Sequence, residues 1–353
     1  CSSDLGVIKS HWPLEDPSLA GAPLQYHYFL MVHAAAASWV TGVEVSTVLL
    51  RLVHLPLAAA LAAQVFLLGR AAARTPWGGV AAGGLFLATS ELSFSTGYGD
   101  SQFLGLFSRW LFVSPTFHFG LIYAGALLLV LGEALRARAF RPRAGLLVLL
   151  LGVGGTGAKG TVLPAIVAAL CLLALWGWWR SRRLPGNALI AAGLSLAAFA
   201  VVYVPAMSAW RTGEARLNPF HIFELTGFWK QWQPVCESAL RGLLPDSLAT
   251  AGSRLLCGLV AFAGTAGVRL LALPFLAWPA AWPADRGLIR LLGAFLAACV
   301  GMGLLLELNS HGEIYVLLMM RLPMAVLAAG FLVAASRRFA ARRGCAAAAP
   351  PGW

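Results

Sequence analysis

The chain has 353 residues, 59% of them hydrophobic and only 11% charged, with a net charge of +12 and a mean hydropathy of +0.77. This composition excludes an ordinary soluble domain or a disordered chain and places the sequence among membrane proteins. The positive charge does not indicate nucleic acid, because tracking phosphates needs a continuous basic face. Here the arginines fall in short clusters at the ends of apolar runs: Arg70/Arg74, Arg136/Arg138/Arg141/Arg143, Arg180/Arg182/Arg183, Arg286/Arg290 and Arg337/Arg338/Arg342/Arg343. Such clusters are the signature of cytoplasmic loops.

In chain order, residues 1–25 read as an external segment and 26–41 as an apolar helix lying along the outer surface, carrying His27 and His33. Nine runs then approach the roughly 20 residues that cross a bilayer: 46–69, 77–92, 110–133, 144–155, 161–179, 187–210, 252–280, 287–307 and 314–335. The run 144–155 is short, and with 161–179 it predicts a hairpin turning at Thr156-Gly157-Ala158-Lys159-Gly160. Residues 211–250 read as a long external loop. In it Asn218-Pro219 signals the start of an interfacial helix, with Phe220, Phe223, Phe228, Trp229 and Trp232 as belt aromatics. The run 252–280 is expected to be one helix bent at Pro274, and 336–353 a cytoplasmic tail. The predicted architecture is therefore all-α: a polytopic helical bundle of about nine transmembrane helices with external surface helices. Its parts are an external loop with surface helix (1–45), the bundle (46–335) and the tail. If every arginine cluster is inside, 46–69 begins outside, so a further span is expected to precede Cys1.

This topology puts all seven histidines and all three lysines outside or in the outer part of a span. Of the 14 acids, only Glu133 and Asp285 fall on the inner side. Ionisable groups near a membrane interior are costly and tend to be functional, so His54, His118 and Arg321 within spans predict a polar cavity opening outward. The cysteines show no metal or disulfide spacing. The first segment carries the carboxylates best placed for catalysis, Asp4, Glu15 and Asp16, with His11, Tyr26 and His27 nearby. An external acid beside a lipid-level helix suits a general base that deprotonates an acceptor hydroxyl. Arg109, Lys159 or Arg321 would neutralise a departing lipid phosphate.

The stretch Trp12-Pro13-Leu14-Glu15-Asp16-Pro17-Ser18-Leu19-Ala20-Gly21-Ala22-Pro23-Leu24-Gln25-Tyr26-His27-Tyr28-Phe29 resembles the first external loop of bacterial multi-spanning proteins of the GT-C glycosyltransferase type. Ser114-Pro115-Thr116-Phe117-His118-Phe119-Gly120, Gly157-Ala158-Lys159-Gly160 and Glu313-Ile314-Tyr315 are similar to that group as well. The resemblance covers most of the chain. It implies a bacterial plasma-membrane enzyme that moves a sugar from a polyprenyl-phosphate donor to a glycan, lipid or protein acceptor on the outer face. In that group the catalytic acid lies soon after the first span, a position that Asp4 matches best, with Glu15 and Asp16 next. Tyr26, His27, Arg109, His118, Lys159, His311, Tyr315 and Arg321 are the matching substrate-binding candidates. No metal ligands are assigned, and a divalent cation is the one cofactor left open.

Two other readings compete. Ser95-Thr96-Gly97-Tyr98-Gly99-Asp100 resembles a potassium-channel filter, but a single copy among nine spans does not make a fourfold pore. A multi-spanning transporter is the main alternative, and it would show paired broken helices with charges near the membrane midplane.

Overall fold

The computed structural model describes residues 29–89, 114–207, 215–278, 285–308 and 312–342. Helix α1 spans Phe29–Thr41. A short helical turn and a π-helical turn over Val48–Leu52 lead into α2, His54–Ala73. Then come α3, Pro76–Leu87, α4, Pro115–Arg136, α5, Pro142–Ala158, α6, Val162–Ser181, and α7, Gly186–Met207. After a two-residue strand β1, Arg216–Leu217, follow α8, Gly227–Arg241, α9, Asp246–Ala266, and α10, Ala272–Ala277. The chain closes with α11, Arg286–Leu305, strand β2, Leu306–Glu307, α12, Gly312–Met319, and α13, Arg321–Arg342.

The all-α bundle is as expected, apart from one unforeseen antiparallel strand pair that aligns Arg216 with Glu307 and Leu217 with Leu306. Among the described residues seven helices, taken with their continuations, are long and apolar enough to cross a membrane: 54–73, 115–136, 162–181, 186–205, 246–277, 286–305 and 312–342. The two remaining expected spans are shorter. α5 has 17 residues, and α3 has 12, about 18 Å of helix at 1.5 Å per residue against a hydrocarbon core of about 30 Å.

Prolines at the first helical position start α3, α4 and α5, where a missing N–H costs nothing and φ is already set. At the other ends of α2 and α6, Arg74 and Arg182 turn the chain with φ of 51° and 54°. These hairpins are tight, and α2 packs on α3 through small residues. A Cβ on Gly78 would meet the Gly69 carbonyl oxygen at 2.7 Å and clash with Ala73 Cβ. Close backbone approach of this kind is how helices associate in lipid, where apolar burial gives no advantage. The most apolar 18-residue stretch within Gly312–Arg342 is 83% buried, against 22% within Gly186–Pro205, so α12–α13 forms the axis of the bundle and α7 an exposed edge.

Several boundaries differ from the sequence expectation. The stretch 252–280 does not bend at Pro274. It breaks at Gly267, whose φ is +59°, into a 3-10 turn over Gly267–Leu271. Pro274 lies in the first turn of α10, where it breaks no hydrogen bond. A four-residue helix, His221–Glu224, does follow Asn218-Pro219, but the longer amphipathic helix α8 starts only at Thr226, whose hydroxyl accepts from Trp229 N at 3.2 Å. Helix α13 runs on to Arg342, so the start of the expected tail is helical.

The contacts define two chemically different ends. At one end Arg136 pairs with Asp285, Asn187 Nδ2 donates to Ala134 O and Ala137 O at 3.1 and 2.7 Å, and Arg338 lies 3.7 Å from the Trp278 ring. The opposite end carries the α5–α6 turn with Lys159, the N-termini of α4 and α12, and the strand pair.

Candidate functional site

The polar residues of the Lys159 end are built from the start of α4, the α5–α6 turn, the segment around β1 and the two sides of the β2–α12 turn. Ser114 and Pro115 begin α4 so that Phe117 and His118 lie one turn in, with exposures of 0% and 4%. Lys159 ends α5 in extended backbone, donating its N–H to Gly155 O at 2.9 Å and accepting from Val162 N at 3.1 Å. Gly120 makes room for it: a Cβ there would meet Lys159 Cβ at 2.8 Å. The Lys159 side chain is 6% exposed and places Nζ 3.5 Å from the centre of the Tyr315 ring. That ring also packs on Phe117 at 5.3 Å. Burial pushes the Lys159 ammonium down to about 8.

Three of the sequence candidates thus lie in one row: Lys159 meets Tyr315, Tyr315 packs on Phe117, and the Phe117 ring neighbours that of His118 at 6.5 Å. His54, at the head of α2, stands near enough to His118 that their charged forms repel one another. Arg321, the fourth described candidate, is fully buried where α13 begins. Asp4, Glu15, Asp16, Tyr26, His27, Arg109 and His311 lie outside the described residues, as does the Ser95–Asp100 motif.

Beside this group runs a polar chain that the sequence reading did not assemble. Arg254 Nη2 donates to Glu224 Oε1 at 2.7 Å and to Asn218 Oδ1 at 3.1 Å. Asn218 Nδ2 donates to Glu307 Oε2 at 3.0 Å. His221 then stands 3.8 Å from Glu307 and 3.4 Å from Glu313. Glu313 is fully buried and accepts from Leu308 N at 3.0 Å. The backbone supports the arrangement, with Asn218 N bonded to Leu305 O and Phe220 N to Leu304 O. Phe220 takes a left-handed φ of 66°, and its ring lies against Gly258, where any Cβ would collide with it. The one sequence signal for this chain was the pair Glu307 and Glu313 on either side of a short external turn. Their partners are about ninety residues away in sequence, a separation no local pattern reveals.

Chemically, this end combines a buried cation, Lys159, with a histidine between two carboxylates, and Arg321 is buried nine residues beyond Gly312, about 14 Å further in at 1.5 Å per residue. Cations in a low-dielectric site bind phosphate oxygens strongly, and a carboxylate-oriented imidazole can accept a proton. Among the described residues no group of three His, Cys, Asp or Glu side chains is arranged to hold a metal ion. No family model, curated protein or solved structure matches this chain.

Proposed function

We propose that the protein is a membrane glycosyltransferase of GT-C type, taking a sugar from a polyprenyl-phosphate donor and passing it to an acceptor hydroxyl at the extracytoplasmic face of a bacterial plasma membrane. The observation that carries this reading is the burial of Lys159 at the end opposite the arginine clusters, with Arg321 buried deeper on the helix pair that carries Tyr315. Two desolvated cations suit the phosphate of a lipid-linked donor, whose chain would lie in the bilayer beside them. In this reading Asp4, with Glu15 and Asp16 as second choices, removes the acceptor proton while the glycosidic bond to phosphate breaks. Lys159, Arg321 and Arg109 carry the charge left on the departing phosphate. Tyr26, His27, His118, His311 and Tyr315 line the sugar and acceptor positions.

The test is transfer of a radiolabelled sugar from its polyprenyl phosphate in sealed vesicles. Transfer that depends on donor, disappears in Asp4→Asn and falls at least tenfold in Lys159→Met supports the enzyme. A transporter is the second reading, favoured by the break at Gly267 and by Arg269, fully buried two residues beyond it. Solute flux with no sugar transfer would favour that alternative.

A further inference from the structure

A cavity of about 470 Å³ opens at the arginine-bearing end between α4 and α5, lined by Val130, Glu133, Arg136, Arg141, Arg143 and Leu147 among others. Its volume falls in the range of roughly 300–1,000 Å³ typical of small-molecule sites. One wall is fixed: Arg136 is held by the buried Asp285 carboxylate, and Asp285 also accepts from Leu288 N at 3.1 Å as the cap of α11. The remaining charges are not taken up in this way. Arg141, Arg143 and Glu133 are exposed and make no side-chain hydrogen bond or ion pair among the described residues. The two guanidiniums therefore share one cavity with a carboxylate without pairing to it.

We propose that this cavity binds the headgroup of a phospholipid bearing both a phosphate and a primary amine, a phosphatidylethanolamine. The phosphodiester is met by Arg141 and Arg143, whose planar forks match phosphate oxygens, and by the N-terminus of α5, which starts at Pro142. The ammonium, with three N–H donors, is met by Glu133. A lipid is the fitting source of this chemistry because the cavity walls are not closed by protein. Val130 and Leu147 continue onto the exposed apolar face of α5, where Leu146 and Leu150 are 58% and 59% exposed, and acyl chains can lie along it. A headgroup bridging α4 to α5 would tie together the two helices whose far ends position His118 and Lys159.

Native mass spectrometry of the full chain, presented with phosphatidylethanolamine, phosphatidylglycerol and phosphatidylcholine of identical acyl chains, tests the assignment. The expected result is phosphatidylethanolamine bound about tenfold more tightly than either of the others. Replacing Arg141→Gln with Arg143→Gln should weaken every phospholipid. Glu133→Gln should bring phosphatidylethanolamine down to the level of phosphatidylglycerol while leaving the latter bound, a result that unfolding could not imitate. Phosphatidylglycerol bound as tightly as phosphatidylethanolamine by the unaltered protein would overturn the proposal in favour of a generic anion site. Displacement of the lipid by inorganic phosphate, or binding unchanged by all three substitutions, would overturn it as well.

Discussion

Lys159 offers a way to separate function from folding. Its ordinary value would be 10.5, and burial lowers it to about 8. That difference corresponds to about 3 kcal/mol of cost for keeping the ammonium charged inside the protein, at 1.36 kcal/mol per pH unit. The cation–π contact with the Tyr315 ring at 3.5 Å offsets about 2 kcal/mol of that burial cost and so draws the folded value back towards 10.5. A net cost of about 1 kcal/mol remains at neutral pH, where both folded and unfolded chains hold the proton. It is lost as the pH rises from the folded value to 10.5, because there only the unfolded chain holds the proton and stability rises with pH. Lys159→Met keeps the length and apolar bulk without the charge. It should be about 1 kcal/mol more stable than the parent at pH 7, and that advantage should shrink towards pH 10. Reversible unfolding in mixed micelles at the two pH values measures this. Sugar transfer by the same variant should fall at least tenfold. A variant more than about 2 kcal/mol less stable at pH 7 would refute the reasoning, because Lys159 would then be holding the fold together.

Arg269, buried in the broken span, donates to Leu85 O at 3.3 Å and Ala266 O at 3.2 Å and also bonds Thr89 O. It thereby satisfies carbonyls at the C-terminal end of α3, so Arg269→Met should cost about 3–5 kcal/mol in the same unfolding assay. Gly78→Leu forces a side chain into Ala73 and the Gly69 carbonyl and should destabilise by about 1–3 kcal/mol or more. Gly120→Ala pushes on Lys159 Cβ, and transfer should drop severalfold while the melting temperature moves by only a few degrees. Asp285→Ala removes both the α11 cap and the partner of Arg136. A loss of about 2–4 kcal/mol is expected, with Asp285→Asn recovering the part that belongs to the cap.

How much could be read from the chain alone depended on whether the signal was local. Hydropathy and arginine clusters located most of the bundle, because length and charge asymmetry are properties of single segments. They failed at 252–280, where Pro274 looked like the bend and Gly267 is the break. A proline in a first turn disturbs nothing, whereas Gly267, with φ of 59° and ψ of −141°, takes a backbone conformation close to the region that only glycine enters readily. They overestimated α3, whose expected run continues to Leu92 through the polar Thr89, Ser90 and Glu91, while the described helix ends at Leu87 and carbonyls at its end accept from Arg269. At the candidate site the sequence singled out His118, Lys159 and Arg321 by side and charge, and Tyr315 by resemblance. It could not see that Tyr315 packs on both Lys159 and Phe117, or that His221 stands between Glu307 and Glu313. Those pairings rest on long-range packing, on β1 meeting β2 across ninety residues, and on the room left by Gly120 and Gly258.

For the proposed transfer, the Lys159 end and the arginine-bearing end must face opposite compartments. Single cysteines at Leu243, 81% exposed after α8, and at Leu184, 65% exposed after α6, can be placed in a chain whose native cysteines are replaced. Both can then be probed in intact cells with a membrane-impermeant thiol reagent. The prediction is labelling of Leu243→Cys from outside and of Leu184→Cys only after the membrane is opened. Labelling of both from the same side, or the reverse order, would contradict the account.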